Sequence, residues 1–239
     1  LFIVQDPYTS YYDAKVVRDF VALTQKLDFE PILLPFKPNG KAMHIKGFLT
    51  RFSKTAKTQA EFLNRVAKLN VPLVGVDPAI VLSYRDEYKE ALGDSRGDFH
   101  VLTAHEWLTN QLESNALQSA VKNIAKSDST FEWHLFPHCT ESTFMPNSPK
   151  EWQHIFAQFG QTLKVEKVGC CGMAGVFGHE VQNQTMSKNI YDVSWGKKLQ
   201  GKDPNYCLAT GYSCRSQVKR YEKAILKHPV QALLEVLNN

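Results

Sequence analysis

Short apolar runs alternate with longer amphipathic stretches along this chain. Leu1 to Val4 reads as a buried strand that stops at Gln5-Asp6-Pro7. From about Asp13 to Leu27 the apolar positions Val16, Val17, Phe20, Leu23 and Leu27 share one helical face. Pro31 to Pro35 is a second short strand, and Pro38-Asn39-Gly40 signals a turn. Ser53 to Leu69 is helical, with Ala56, Ala60, Leu63 and Val66 inward. Val71 to Val76 is a strand closed by Asp77-Pro78, and a helix from Ile80 to Ala91 is stopped by Gly93. After the polar stretch Gly93 to Phe99, Thr103 caps a helix predicted from Ala104 to about Lys126, with Trp107, Leu108, Leu112, Leu117 and Val121 on its core face.

The second half repeats this order. Phe131 to Phe136 is a strand ending at Pro137-His138-Cys139. Ser148-Pro149-Lys150-Glu151 reads as a capping box opening a helix to Phe159. Leu163 to Val168 is a strand, and a long helix is predicted from about His179 to Leu199. Tyr206 to Thr210 is a strand, Arg215 starts a helix to Leu226, and Pro229 to Leu237 is a last helix. A shift of 133 residues carries Asp6 onto Cys139, Asp77 onto Thr210 and Asn39 onto Gly172. The expectation is an α/β fold of two pseudo-repeated halves, residues 1–96 and 97–239, each a short parallel sheet flanked by helices. In such sheets functional turns gather at the carboxyl ends of the strands.

Three of those turns carry thiols. Cys139 follows the first strand of the second half, Cys170 and Cys171 the second, and Cys214 the third. The adjacent pair lies in Gly169-Cys170-Cys171-Gly172-Met173-Ala174-Gly175-Val176-Phe177-Gly178, where glycines let the backbone approach a bound centre and adopt positive φ. Soft thiolate sets select zinc or iron–sulfur centres. Neighbouring residues suit separate irons of one cluster better than one tetrahedral zinc shell. Zinc and a metal-free redox thiol site stay open as alternatives. Cys207, inside a strand, reads as a core thiol. His138 and His179 adjoin the cysteines and could ligate or donate to a cluster sulfur. The remaining histidines do not cluster around the cysteines.

Composition narrows the setting. The chain has 239 residues, 43% hydrophobic and 22% charged, with a net charge of +4. Without an arginine-rich arm or an aromatic-studded basic stripe, nucleic-acid binding is not expected. No apolar run reaches the roughly 20 residues of a membrane span, and no secretory leader is evident. Leu1 opens directly into a strand with no preceding methionine, which reads as a piece of a longer protein. Five cysteines, clustered in the second half, suit a metal or redox site in the cytoplasm rather than a disulfide framework.

Cys139, Cys170-Cys171-Gly172 and Cys214 resemble the cysteine-rich (CCG) domain of iron–sulfur oxidoreductases such as heterodisulfide reductase and the iron–sulfur component of glycolate oxidase. That domain is duplicated, with a cysteine, a Cys-Cys-Gly turn and a Cys-x-x-Cys in each copy. Here Gly211 stands where the first cysteine of Cys-x-x-Cys belongs. In the first copy Asp6, Pro38-Asn39 and the Asp77 to Val81 segment replace the cysteines. The wording of Gly172 to Gly178 and of Ala209 to Gln217 is closest to the carboxyl-terminal part of large FAD-linked oxidases of the YdiJ type. This resemblance implies oxidation of a D-2-hydroxy acid, D-2-hydroxyglutarate or D-lactate. It implies a [4Fe-4S]-type cluster on the four cysteines, with FAD-binding and ferredoxin-like domains upstream in the same polypeptide. Location would be cytoplasmic, free or held at the inner membrane face. Arg215, Lys41 and His44 are candidates for binding substrate or supporting the cluster. The competing readings are a structural docking domain with a decayed cluster or zinc site, and a thiol oxidoreductase using Cys214 beside Arg215.

Overall fold

The computed structural model describes residues 1–117 and 132–238. The predicted extension of the helix after Thr103 to Lys126, with Val121, and the strand start at Phe131 lie outside those residues. The fold is α/β, with two parallel sheets flanked by helices. The first half contains β1 (Phe2–Ile3), α1 (Pro7–Tyr11), α2 (Ala14–Lys26), β2 (Ile32–Leu33), α3 (Lys41–Ile45), α4 (Leu49–Ala67), β3 (Leu73–Gly75), α5 (Pro78–Arg85), α6 (Glu87–Leu92), β4 (Val101–Thr103) and α7 (Ala104–Glu113). The second contains β5 (Trp133–Phe136), α8 (Cys139–Phe144), α9 (Ser148–Gln158), β6 (Leu163–Val165), α10 (Gln184–Tyr191), β7 (Cys207–Ala209), α11 (Tyr212–Glu222) and α12 (Pro229–Val236). No helix among the described residues is long and apolar enough to cross a membrane.

The strand orders are β2-β1-β3-β4 and β6-β5-β7, so the three strands of the second sheet match the first three of the first. Ile3 pairs with Leu33 and Val74 as Leu135 pairs with Val165 and Leu208. The corresponding offsets are 132, 132 and 134 residues, around the expected 133. Alternation along each strand divides the core. Ile3, Val74, Leu135 and Leu208 all enter one shared core with Phe20, Trp107, Trp152 and Leu233. Their neighbours Phe2, Val4 and Leu73 face a second cluster with α4 and α5, while Phe136, Cys207 and Ala209 face a third around the cysteines. Helices α2 and α12 pack together, as do α7 and α9, so the halves are joined by a common interior.

β4 lies beyond residue 96, pairs with β3 and extends the first sheet. Several local expectations are corrected. Asp6, with Pro7 behind it, starts α1, a helix too short and polar for periodicity to reveal. Ser148 does not form the expected capping box; its hydroxyl donates to buried Glu141, and Asn147 occupies the cap position without a side-chain bond. The helix predicted from His179 to Leu199 is broken. Tight turns span Phe177–His179 and Val181–Asn183, α10 follows, and Asp192–Gly196 forms a π-helical turn. Such turns re-aim side chains, and here Ser194 and Trp195 are turned onto Gly169.

Candidate functional site

The sheet's carboxyl edge delivers the thiols. β5 leads through Pro137 to His138, whose Nδ1 accepts from the Thr140 N–H at 3.2 Å and caps α8, so Cys139 begins that helix. β6 leads into the Cys170-Cys171 loop. β7 leads through Gly211 into α11, which begins at Tyr212 rather than Arg215, so Cys214 lies in its first turn. Cys171 and Cys214 are buried, and Cys139 and Cys170 are half-buried.

The four thiols are electrostatic neighbours: Cys170 interacts with Cys139 and Cys171, and Cys171 with Cys214. The Cys139 and Cys171 thiols, with the Gly172 N–H at 3.3 Å, hold Cys170 far below an ordinary thiol pKa. Donation to Cys170, followed by burial, pushes Cys139 up; donation to Cys170 and contact with Cys214 push Cys171 up. Cys207 lies inside β7, in the same buried cluster as Cys171 and Cys214, and is pushed up to about 11 by burial, with Lys202, Glu166 and Asp203 as its charged surroundings.

The loop is held by backbone recognition. Gln217 Nε2 donates to the Cys171 carbonyl at 3.0 Å and to Ser187 Oγ at 2.8 Å, and Ser187 Oγ donates to the Gly172 carbonyl at 2.7 Å. Trp195 Nε1 donates to the Gly169 carbonyl at 3.0 Å. Gly172 has φ +84°, and a Cβ there would lie 2.2 Å from the Ser187 carbonyl oxygen. At Gly211 a Cβ would lie 2.3 Å from His138 Cδ2. The position where the CCG pattern carries another cysteine is therefore filled by the His138 ring, whose Nε2 lies 3.2 Å from Ser213 Oγ. Sequence reasoning missed Glu141, fully buried behind this loop, which accepts from the hydroxyls of Ser148 and Thr210. Thr210 Oγ1 also accepts from the His138 N–H at 2.9 Å.

A cavity of about 230 Å³ opens between the thiols and the first half, lined by Cys139, Cys170 and Cys171 on one side and Tyr8, Lys41 and Asp77 on the other. His138 and His179 also line it. His179 Nδ1 accepts from Arg220 at 2.8 Å, and burial followed by the Arg220 charge lowers its pKa. The remaining candidates have partners of their own. Arg215 is buried, bonded to Asp13 through Nε at 3.0 Å and to the Ala209 and Thr210 carbonyls through Nη1, and so braces the fold. Lys41 is ion-paired with Glu87. His44 packs on Phe52 at 4.8 Å and lines a separate groove.

Among the described residues, no three His, Cys, Asp or Glu side chains are placed to hold a single metal ion. A tetrahedral zinc shell needs four donors around one point. A cluster takes one thiolate on each of several irons, so a set of four soft thiol donors fits it in chemistry.

The first half carries carboxylates where the second carries this edge. Asp6 and Asp77 are both 2% exposed and cap α1 and α5. Burial, and then the Asp77 charge, push the Asp6 pKa up to about 6. A carboxyl whose folded pKa exceeds its unfolded value stabilises the fold fully below the unfolded value, and that contribution is lost as pH rises through about 6. Asp6→Asn keeps an acceptor for the Tyr8 and Thr9 N–H groups without the charge. It is expected to raise stability by roughly 2–3 kcal/mol at pH 8, with the gain vanishing towards pH 4. Urea unfolding at both pH values checks this, and a gain that is constant with pH would contradict the charge argument.

No protein-family model matches the chain. The chain is similar over nearly its whole length to proteins named D-2-hydroxyglutarate dehydrogenase. The relative from Haemophilus influenzae is 82% identical over 237 residues, 99% of this chain and 23% of the relative. The Escherichia coli relative is 58% identical over 99% of this chain and 22% of its own length, and that of Pseudomonas putida is 40% identical over 98% and 22%. The chain thus spans less than a quarter of the length of the relatives it matches.

Proposed function

We propose that this chain is the cysteine-rich electron-transfer segment of an FAD- and iron–sulfur-dependent enzyme that oxidises D-2-hydroxyglutarate. The observation that carries the reading is the set of four neighbouring thiols, delivered by three strand ends, in a chain so similar to dehydrogenases of that name. Cys139, Cys170, Cys171 and Cys214 would hold an iron–sulfur cluster, which when bound supplies one-electron transfer to a two-electron flavin reaction. The chain's own residues prepare the place. The Gly172 N–H donates to Cys170 Sγ at 3.3 Å, which favours the Cys170 thiolate. Phe136, Tyr191 and Trp195 pack around the buried cysteines and exclude water from that side. Lys41 and His179 line the open side. FAD and the ferredoxin-like segment belong to other parts of the polypeptide.

The test is anaerobic purification of the full-length enzyme with assays for iron, sulfide and zinc, then addition of D-2-hydroxyglutarate or D-lactate. Iron and sulfide lost on replacing all four cysteines, with flavin bleached faster by hydroxyglutarate, are expected. Zinc in place of iron, or full turnover in an enzyme whose four cysteines are alanine, would make the segment a docking domain. Faster bleaching by D-lactate would overturn the substrate assignment.

A further inference from the structure

Helix α11 carries Cys214 in its first turn yet has no side-chain cap of its own, because its cap residue is Gly211. That glycine is enforced by the His138 ring, which occupies the space a Cβ would need. A helix start leaves N–H groups without intrahelical partners, and a buried one needs an acceptor. The acceptor comes from the other half of the molecule. Asp77 Oδ2 accepts from the Tyr212 N–H at 2.8 Å, across 135 residues of sequence. The same carboxylate, through Oδ1, accepts from the Ala79 and Ile80 N–H groups at 3.0 and 3.3 Å and so caps α5. One buried anion thus serves two helix N-termini, where negative charge is favoured by both dipoles.

The surroundings seal this bond. The Tyr8 ring stacks on Tyr212 with centroids 5.4 Å apart and planes 10° apart. Asp77 is 2% exposed and also lines the cavity beside the thiols. Two more contacts bring the same half onto the cysteine loop: Ile45 fills the space beside Gly175, and Lys46 pairs with Glu180. By the 133-residue repeat, Asp77 stands opposite Thr210, the residue that receives the His138 N–H in its own half.

We infer that Asp77 is a positioning residue for the thiol site: it caps the Cys214 helix from the half of the molecule that lacks cysteines, fixing Cys214 against Cys171. The role of Cys214 as a ligand rests on the proposed function; the cap does not. Losing the half's own cysteines therefore does not make that half dispensable to the site.

The test uses the full-length enzyme after reduction and chelation of iron, with alkylation of each cysteine followed by mass spectrometry. Asp77→Ser retains a short side-chain acceptor able to cap α5 but cannot reach Tyr212. Cys214 is expected to label about tenfold faster than in the parent, since a charge-assisted cap is lost from its turn. Cys207, fully buried in β7, reports general loosening and should label at the parent rate. Asp6→Asn, which alters the neighbouring carboxylate without touching α11, should leave Cys214 protected. Should Asp77→Ser fail to fold, Asp77→Asn gives the same comparison, since its amide cannot accept for both helices at once. Unchanged labelling of Cys214 overturns the inference, as does labelling of Cys207 in step with Cys214. Iron in the parent enzyme is measured separately. A parent without iron defeats the cluster reading, while the labelling comparison still decides the cap.

Discussion

Gly172→Ala in the full-length enzyme is expected to lower the melting temperature of this segment by about 10 °C and, if the proposed cluster is held there, to reduce the iron content. Three costs add. A non-glycine residue at φ +84° costs on the order of 1–3 kcal/mol. The new methyl would meet the Ser187 carbonyl oxygen at 2.2 Å, a distance that backbone movement alone can relieve. That movement would disturb the bonds from Ser187 to the Gly172 carbonyl and from Gln217 to the Cys171 carbonyl, each worth about 1 kcal/mol. The total is roughly 3–5 kcal/mol, which at about 2–4 °C per kcal/mol for a segment of this size gives the stated fall. The control is Gly169→Ala. Its Cβ would find Ser194 Oγ at 3.5 Å, an ordinary contact, and the backbone there is not left-handed. Calorimetry and iron assays on both variants decide the matter; if Gly172→Ala behaves like Gly169→Ala, the loop is not held as described.

Much of this arrangement is legible because two signals in the sequence are long-range and redundant. The 133-residue offset links strands by their ends, and the register Ile3 to Val74 against Leu135 to Leu208 obeys it within a residue. The thiols are legible because each follows a strand, and parallel strands share one edge. What escapes is of another kind. β4 is three residues long, and Thr103 serves both as its last residue and as the cap of α7, bonded reciprocally with Glu106. A residue with two local roles shows just one of them in a pattern. Arg215 reads as available because its partner Asp13 lies 202 positions away. Ser148 reads as the cap of its own helix because nothing nearby in sequence announces that Glu141 would be buried beside it. The break after His179 follows from tertiary demand, since Ser194 and Trp195 must both reach Gly169. In each case a contact distant in sequence overrides a sound local preference.

The placement of cations around the cavity bears on what the thiols do. A dicarboxylate substrate needs fixed positive groups to neutralise it. Arg215 is spent on Asp13 and two carbonyls, and Lys41 is paired with Glu87. Arg220 is engaged by the Gly178 carbonyl and His179. The cavity wall itself carries Lys41, His138 and His179 beside Cys139, Cys170 and Cys171, with Tyr8 and Tyr212 as its aromatic members.

Cys171→Ser separates an electron relay from a direct part in oxidising the substrate, and its effect on turnover is expected to be the largest of any single change. The side chain is 2% exposed and interacts with both Cys170 and Cys214. Serine is close to cysteine in size, so packing is nearly preserved, but its hydroxyl is a hard donor that stays protonated and holds iron poorly. In a relay the substrate half-reaction is untouched. Stopped-flow mixing with D-2-hydroxyglutarate should bleach the flavin of the full-length variant at the parent rate, while steady-state turnover with an external acceptor falls by about a hundredfold, the upper end of what losing even an outer-shell partner costs a metal site. If the site instead takes part in oxidising the substrate, flavin bleaching itself slows by a comparable factor. That outcome, with flavin content and circular dichroism unchanged, would sink the relay and place the hydroxy acid against the thiols. Equal turnover in variant and parent would remove the four cysteines from the reaction altogether.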